Sequence, residues 1–111
     1  MFDQGEILLI PVPFSDLSSF KKRPVLVLSN HAHNSSSRDI IVIAITSNLA
    51  QKGIEISNDD LTDGFLPKTS IIKVDKVYTL EASIVIKKIG KINNDVLLEV
   101  YNEFVKLISP P

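Results

Sequence analysis

The sequence predicts a mainly β protein, all-β or α+β by a strict count, built as a small closed or nearly closed barrel with one helix packed across it. Three observations predict this. Short aliphatic runs recur along the chain, most of them bounded by Pro, Gly, Asn, Asp or Ser. Two of the runs, VLVL at residues 25–28 and IIVIAI at residues 40–45, show no apolar–polar alternation, as expected of strands buried on both faces or lying in a curled sheet. Only the last segment changes from the period of a strand to that of a helix. Closure follows from the aliphatic content, because so many apolar strands in an open sheet would leave adhesive edges.

Taken in order, the first strand spans residues 5–12 and stops at Pro11-Val12-Pro13. A loop over residues 14–22 carries Ser15, Asp16, Ser18 and Ser19, and the second strand covers residues 24–29. A loop rich in Asn, Ser and His occupies residues 30–38, and the third strand residues 39–45. A shorter strand at residues 53–57 precedes a turn-rich stretch over residues 58–64. The fifth strand, residues 70–77, alternates from Ile72, which puts Lys73, Asp75 and Val77 on one face and Ile72, Val74 and Lys76 on the other. A strand or turn interrupted by Gly90 covers residues 84–92. Over residues 93–108, Leu97, Val100, Phe104, Leu107 and Ile108 recur at helical spacing; Asn93 or Asn94 can cap the helix and Pro110-Pro111 ends it. The barrel therefore has five to seven strands. No repeat, low-complexity tract or linker divides the chain, so one domain is expected over residues 1–111.

A chain of 111 residues is long enough for one core and not for two. Hydrophobic content of 44% with 23% charged residues is that of a soluble globular protein rather than a disordered one. The chain has no Cys, which excludes disulfides, thiolate nucleophiles and Cys-based zinc sites and fits a reducing compartment. No window approaches the roughly 20 apolar residues of a membrane span. The start, Met1-Phe2-Asp3-Gln4-Gly5-Glu6, is acidic where a secretory signal is basic, so cytoplasmic residence is expected. A net charge of -1 excludes a strongly basic nucleic-acid coat, yet the charge is uneven. Lys21, Lys22 and Arg23 form one basic knot, and Lys73, Lys76, Lys87, Lys88 and Lys91 enrich a second stretch. Acidic residues gather at Asp59, Asp60 and Asp63 and along the C-terminal segment.

Two strand ends carry the candidate chemistry. Arg23 precedes Pro24, which biases its backbone to extended geometry and places it at a loop–strand junction. It is either a phosphate clamp and acid or a surface arginine in an ion pair. Thr46 follows six apolar residues and leads into Ser47 and Asn48; its hydroxyl either contacts a substrate or bonds a neighbouring carbonyl. A guanidinium and a hydroxyl together suit a phosphate. Lys73 and Asp75 form either a cross-face ion pair or a cation beside a proton acceptor. His31 and His33 flank Ala32 with no third ligand cluster, so no metal site and no cofactor are expected. No Ser–His–Asp arrangement or phosphate-binding glycine loop is present. Phe14, Phe20, Phe65 and Tyr78 lie near strand ends, where rings either stack on exposed bases or plug the barrel.

Read in order, GEILLIPVPF, KKRPVLVLSN with its Asn-containing loop, VIAITSN, a Gly-Phe turn leading into TSIIKVDKVYTL, and IGKI before a terminal helix resemble the MazF/PemK family of toxin endoribonucleases from type II toxin–antitoxin systems. The ordered set covers nearly the whole chain. The resemblance implies an SH3-like barrel, a homodimer with RNA in a groove across it, and sequence-specific, metal-independent cleavage of single-stranded RNA. It makes Arg23 and Thr46 the catalytic pair, with Lys21, Lys22, Ser47, Lys73 and Asp75 binding RNA or assisting. In one branch of the family an arginine and an aspartate stand two residues apart on the later strand. Asp75 matches the second, while Lys73 replaces the first, and a lysine neutralises a phosphate without forming the bidentate fork. Many relatives also have glycines before the Arg-Pro, where this chain has Phe20-Lys21-Lys22.

The implied reaction is attack of the ribose 2′-hydroxyl on the adjacent phosphorus, leaving a 2′,3′-cyclic phosphate and a 5′-hydroxyl. It needs a base, charge stabilisation and an acid. Arg23 suits the last two tasks, Thr46 suits a non-bridging oxygen, and Asp75 and His31 are the only candidate bases. The family also implies a MazE/PemI-like antitoxin whose disordered acidic segment covers the groove, DNA contact only through that antitoxin, and no membrane. Two rival functions share the barrel: a CcdB-like toxin that contacts DNA gyrase, and a catalytically silent SH3-like RNA-binding module.

Overall fold

The computed structural model describes residues 1–13 and 20–111, except for the side chains of Pro13 and Phe20. Among these residues, seven strands form one antiparallel sheet. They are β1 (Glu6–Pro13), β2 (Phe20–Val27), β3 (Asp39–Thr46), β4 (Ile54–Ile56), β5 (Leu61–Gly64), β6 (Ser70–Glu81) and β7 (Lys87–Ile92), in the order β4-β6-β3-β2-β1-β7-β5. The two outermost strands, β4 and β5, are neighbours in the chain, joined through a 3-10 turn at Asn58–Asp60. That short link holds the two edges together, so the sheet curls into a half-barrel. The fold class is the expected one, mainly β with a terminal helix.

The lack of alternation in β2 and β3 has its reason in two cores. Ile7, Leu26, Ile43, Ile45 and Ile72 enter the main core with Val96 and Val100 of the helix α2 (Asn94–Ile108). Their neighbours Leu8, Val25, Val27, Ile40 and Val42 build a second core on the opposite face. Burying both faces contributes about 1.5–3 kcal/mol for each such side chain. Asn93 caps α2, its side chain accepting from the Val96 N–H at 2.8 Å.

Several expectations are corrected. The loop at residues 30–38 contains a short helix, α1 (His31–Ser36), which Asn30 caps by accepting from the His33 N–H at 3.0 Å. Its buried side is polar: Asn34 Nδ2 donates to the carbonyls of Phe2 and Ser29, and its Oδ1 accepts from Ser29 Oγ. The second strand begins at Phe20 because Lys21, Lys22 and Arg23 pair with Val12, Pro11 and Ile10 of β1. It ends at Val27, beyond which the Leu28 and Ser29 N–H groups both turn to the Ile41 carbonyl. The remainder of the loop expected before it, residues 14–19 with Phe14, Ser15 and Asp16, lies outside the described residues.

Beyond residue 77 the fifth expected strand runs on to Glu81, paired with Asp39 of β3. Its simple alternation fails, because Ile43 opposes Val77 while Ile45 opposes Ile72, leaving residues 73–76 bulged. Val74 and Val77 accordingly both pack on the main core, so Val77 does not share a face with Lys73 and Asp75 as simple alternation requires. Finally, the turn-rich stretch at residues 58–64 holds β5, and β7 runs through Gly90, where Gly64 of β5 lies directly opposite.

Candidate functional site

One cleft of about 690 Å³ gathers most of the expected site residues. Its wall takes Lys22, Arg23 and Pro24 from β2, Ile45, Thr46 and Ser47 from the end of β3, and Lys87, Lys88 and Ile89 from β7. The segment from Gly64 to Lys68 closes the remaining side, and Leu9 contributes from β1. Five of these residues are cations (Lys22, Arg23, Lys68, Lys87 and Lys88), and no carboxylate lines the wall among the described residues.

The cations are not equivalent. Lys88 Nζ lies 3.1 Å from Glu6 Oε2 and 3.0 Å from Asp63 Oδ2. The hydrogen bond to Asp63, and then that to Glu6, raises the pKa of Lys88 above its usual 10.5. Glu6 is itself 7% exposed and accepts from the Asp3 N–H at 2.8 Å. Lys88 thus ties β7 to β1 and β5, its charge already balanced. No hydrogen bond or ion pair to another described residue engages the side chains of Lys22, Arg23, Lys68 or Lys87, which leaves four charges facing the opening.

Thr46 is half-buried, and its Oγ1 accepts from the Asn48 N–H at 3.2 Å. The structural contact is therefore an acceptance from an N–H, the reverse of donation to a carbonyl, and the hydroxyl proton stays free to bond an anionic oxygen. Asn48 continues the turn by accepting from the Ala50 N–H at 3.1 Å.

Lys21, Lys73 and Asp75 are not in the cleft wall. Lys73 Nζ donates to Gln51 Oε1 at 2.7 Å, which ties the bulge of β6 to the loop after Thr46. His31 Nδ1 lies 3.5 Å from Asp3 Oδ1, away from the cleft, and no group of three potential metal ligands occurs among the described residues. Lys68 was missed as a candidate; a single lysine in a turn carries no local signal. Lys87 and Lys88 are visible as part of a basic stretch, and only the pairing of β7 with β1 separates them from Lys73 and Lys76 of β6; Lys91, also on β7, pairs with Glu6 and does not line the cleft. No helix among the described residues is long and apolar enough to cross a membrane.

The sequence matches the family described as PemK-like, MazF-like toxin of type II toxin-antitoxin system over residues 3–108. Solved structures of similar fold include a MazE–MazF complex from Deinococcus radiodurans, 20% identical, covering 99% of this chain and 97% of that one at a TM-score of 0.78. An endoribonuclease bound to its cognate antitoxin, from a mycobacterial species, is 16% identical over 99% and 95% of the two chains, with a TM-score of 0.73. The Mycobacterium tuberculosis toxin MazF-mt6 is 20% identical over 90% and 93%, with a TM-score of 0.63. At these identities the likeness shows the fold. Comparison with curated proteins finds no match.

Proposed function

This chain belongs to the PemK-like, MazF-like toxins of type II toxin–antitoxin systems, and from that premise we propose that its cationic cleft cleaves single-stranded RNA. The observation that carries the reading is the wall itself: among the described residues it has five cations and no carboxylate, in a chain of net charge -1. Such a wall concentrates a phosphodiester backbone. A toxin that grips DNA gyrase by protein contact has no need of it.

The substrate brings its own nucleophile, the 2′-hydroxyl, so the protein needs to supply charge stabilisation and proton transfer. Arg23 faces the phosphorane with several donors and delivers a proton toward the leaving 5′-oxygen. The Thr46 hydroxyl donates to a non-bridging oxygen, and Lys22, Lys68 and Lys87 hold flanking phosphates. Lys73 serves by position, holding the loop that follows Thr46 through Gln51. Neither Asp75 nor His31 lines the cleft, so the 2′-hydroxyl proton is assigned to solvent water, which also returns to Arg23 the proton it gives the 5′-oxygen.

The wall also suits an acidic antitoxin segment of MazE/PemI type, which would occlude RNA by charge complementarity. The family reading adds a homodimer and action in the cytoplasm, where messenger RNA is. The test is incubation of purified protein with mixed single-stranded RNA in EDTA, followed by end-mapping. Fragments ending in 2′,3′-cyclic phosphate, at a restricted set of sequences, are expected; RNA left whole by the folded protein would end the proposal.

A further inference from the structure

We infer that Phe65 is a base-stacking platform, which holds one nucleobase against the cationic wall. This rests on the RNA reading of the same cleft. Phe65 is 64% exposed, yet it lines a cleft whose floor is apolar through Leu9, Pro24 and Ile89. The next residue, Leu66, is 3% exposed and belongs to the main core, so the fold already takes its apolar anchor from this segment. The phenyl ring is left over.

The backbone beneath the ring is fixed on both sides. The Phe65 N–H donates to the Ile89 carbonyl at 2.9 Å, extending the β5–β7 ladder by one bond. The Leu66 N–H donates to Asn58 Oδ1 at 2.7 Å, and the Leu66 carbonyl accepts from Asn58 Nδ2 at 2.9 Å. Pro67 follows, restricting the chain before Lys68. A rigid aromatic with few rotamers loses little entropy when a planar partner lands on it. A ligand that satisfies both the ring and the neighbouring Lys68 and Lys87 has a flat π face on an anionic backbone, which describes an unpaired nucleotide.

The test separates this inference from cleavage. Binding is measured for a random-sequence 2′-O-methyl RNA decamer, which has no 2′-hydroxyl to attack, and for inorganic polyphosphate of similar charge. Phe65→Ala is expected to weaken RNA binding by about five- to 150-fold, the range for losing one stacked base, with polyphosphate binding unchanged. Phe65→Trp should restore RNA binding. Equal RNA affinity of Phe65→Ala and the wild type overturns the inference, and so does a parallel loss of RNA and polyphosphate, which would make the ring a shaper of the cleft. If the selective loss is seen while unmodified RNA stays whole, the stacking platform stands and the nuclease proposal falls.

Discussion

Arg23 of β2 and Thr46 of β3 line the same cleft, and the β2–β3 register, carried past its last paired residues, sets them opposite each other. The register sets Val25 against Ala44, Leu26 against Ile43 and Val27 against Val42; continued, it sets Pro24 against Ile45 and Arg23 against Thr46. The Leu28 N–H donates to the Ile41 carbonyl at 2.8 Å, so every second residue back along β2, including Pro24, turns its backbone polar groups toward β3. Pro24 has no N–H to give, and the ladder stops there. Opposed residues share a side of the sheet. The proline thus opens the strand pair at the point where Arg23 and Thr46 line the cleft.

The opposed pair predicts a shared loss. A hydrogen bond to a charged group contributes about 1.5–3 kcal/mol, so Arg23→Ala and Thr46→Ala should each lower the cleavage rate at least about tenfold. Arg23 is exposed and Thr46 half-buried, so neither change should alter the circular dichroism spectrum. Arg23→Lys should fail to restore the rate, because an ammonium lacks the fork. Wild-type rates in both folded alanine variants would refute the assignment.

These residues were legible in the sequence because the Arg-Pro and Ile-Thr-Ser junctions are local signals, as were the strands with apolar residues on both faces and the period change at Asn93. What was hidden is non-local. Lys68 and Lys87 line one cleft with Arg23 only because β7 pairs with β1, and β5, which leads into the Lys68 segment, pairs with β7. The alternation of Lys73 and Asp75 misled because the bulge in β6 depends on its pairing with β3. Helix α1 escaped notice because its inward residue is Asn34, and apolar periodicity cannot report a helix anchored by hydrogen bonds.

The uneven state of the cleft cations predicts a salt dependence. If Lys22, Arg23, Lys68 and Lys87 each meet a phosphate, the logarithm of RNA affinity should fall with the logarithm of salt at a slope of about -3, near -0.7 per contact. Lys68→Ala or Lys87→Ala should make that slope shallower by about 0.7. Lys88→Ala should leave it unchanged, since Glu6 and Asp63 already balance that charge. Fluorescence anisotropy across a salt series measures all three, and an equal change for Lys88 would show that its ion pairs open on binding.

Stability should fall in strong alkali for two named reasons. The hydrogen bonds to Asp63 and Glu6 raise Lys88 above 10.5, and burial raises Tyr78 above 10.0. In both cases the folded chain holds the proton more tightly than the unfolded one. The contribution is therefore complete below the unfolded value and is lost as the pH climbs through the folded value. Thermal unfolding above pH 10.0 should show the decline in the wild type, with Tyr78→Phe removing one part and Lys88→Met the other. An unchanged slope in the double variant would place the titration elsewhere.

Gly64 and Gly5 offer a paired test of how the Phe65 segment is held. Both have positive φ, +81° at Gly64 and +90° at Gly5. Alanine at either should cost about 1–2 kcal/mol for the left-handed backbone. At Gly5 a new Cβ meets only ordinary contacts, with Ile92 Cγ1 at 3.6 Å. At Gly64 it runs into the Ile89 carbonyl oxygen and Gly90 Cα of β7, so β5 must move away and carry Phe65 with it. Gly64→Ala should therefore unfold at clearly lower denaturant than Gly5→Ala and bind RNA more weakly in conditions where both remain folded. Equal costs and equal affinities would mean that the close approach of β5 to β7 does not fix the aromatic wall of the cleft.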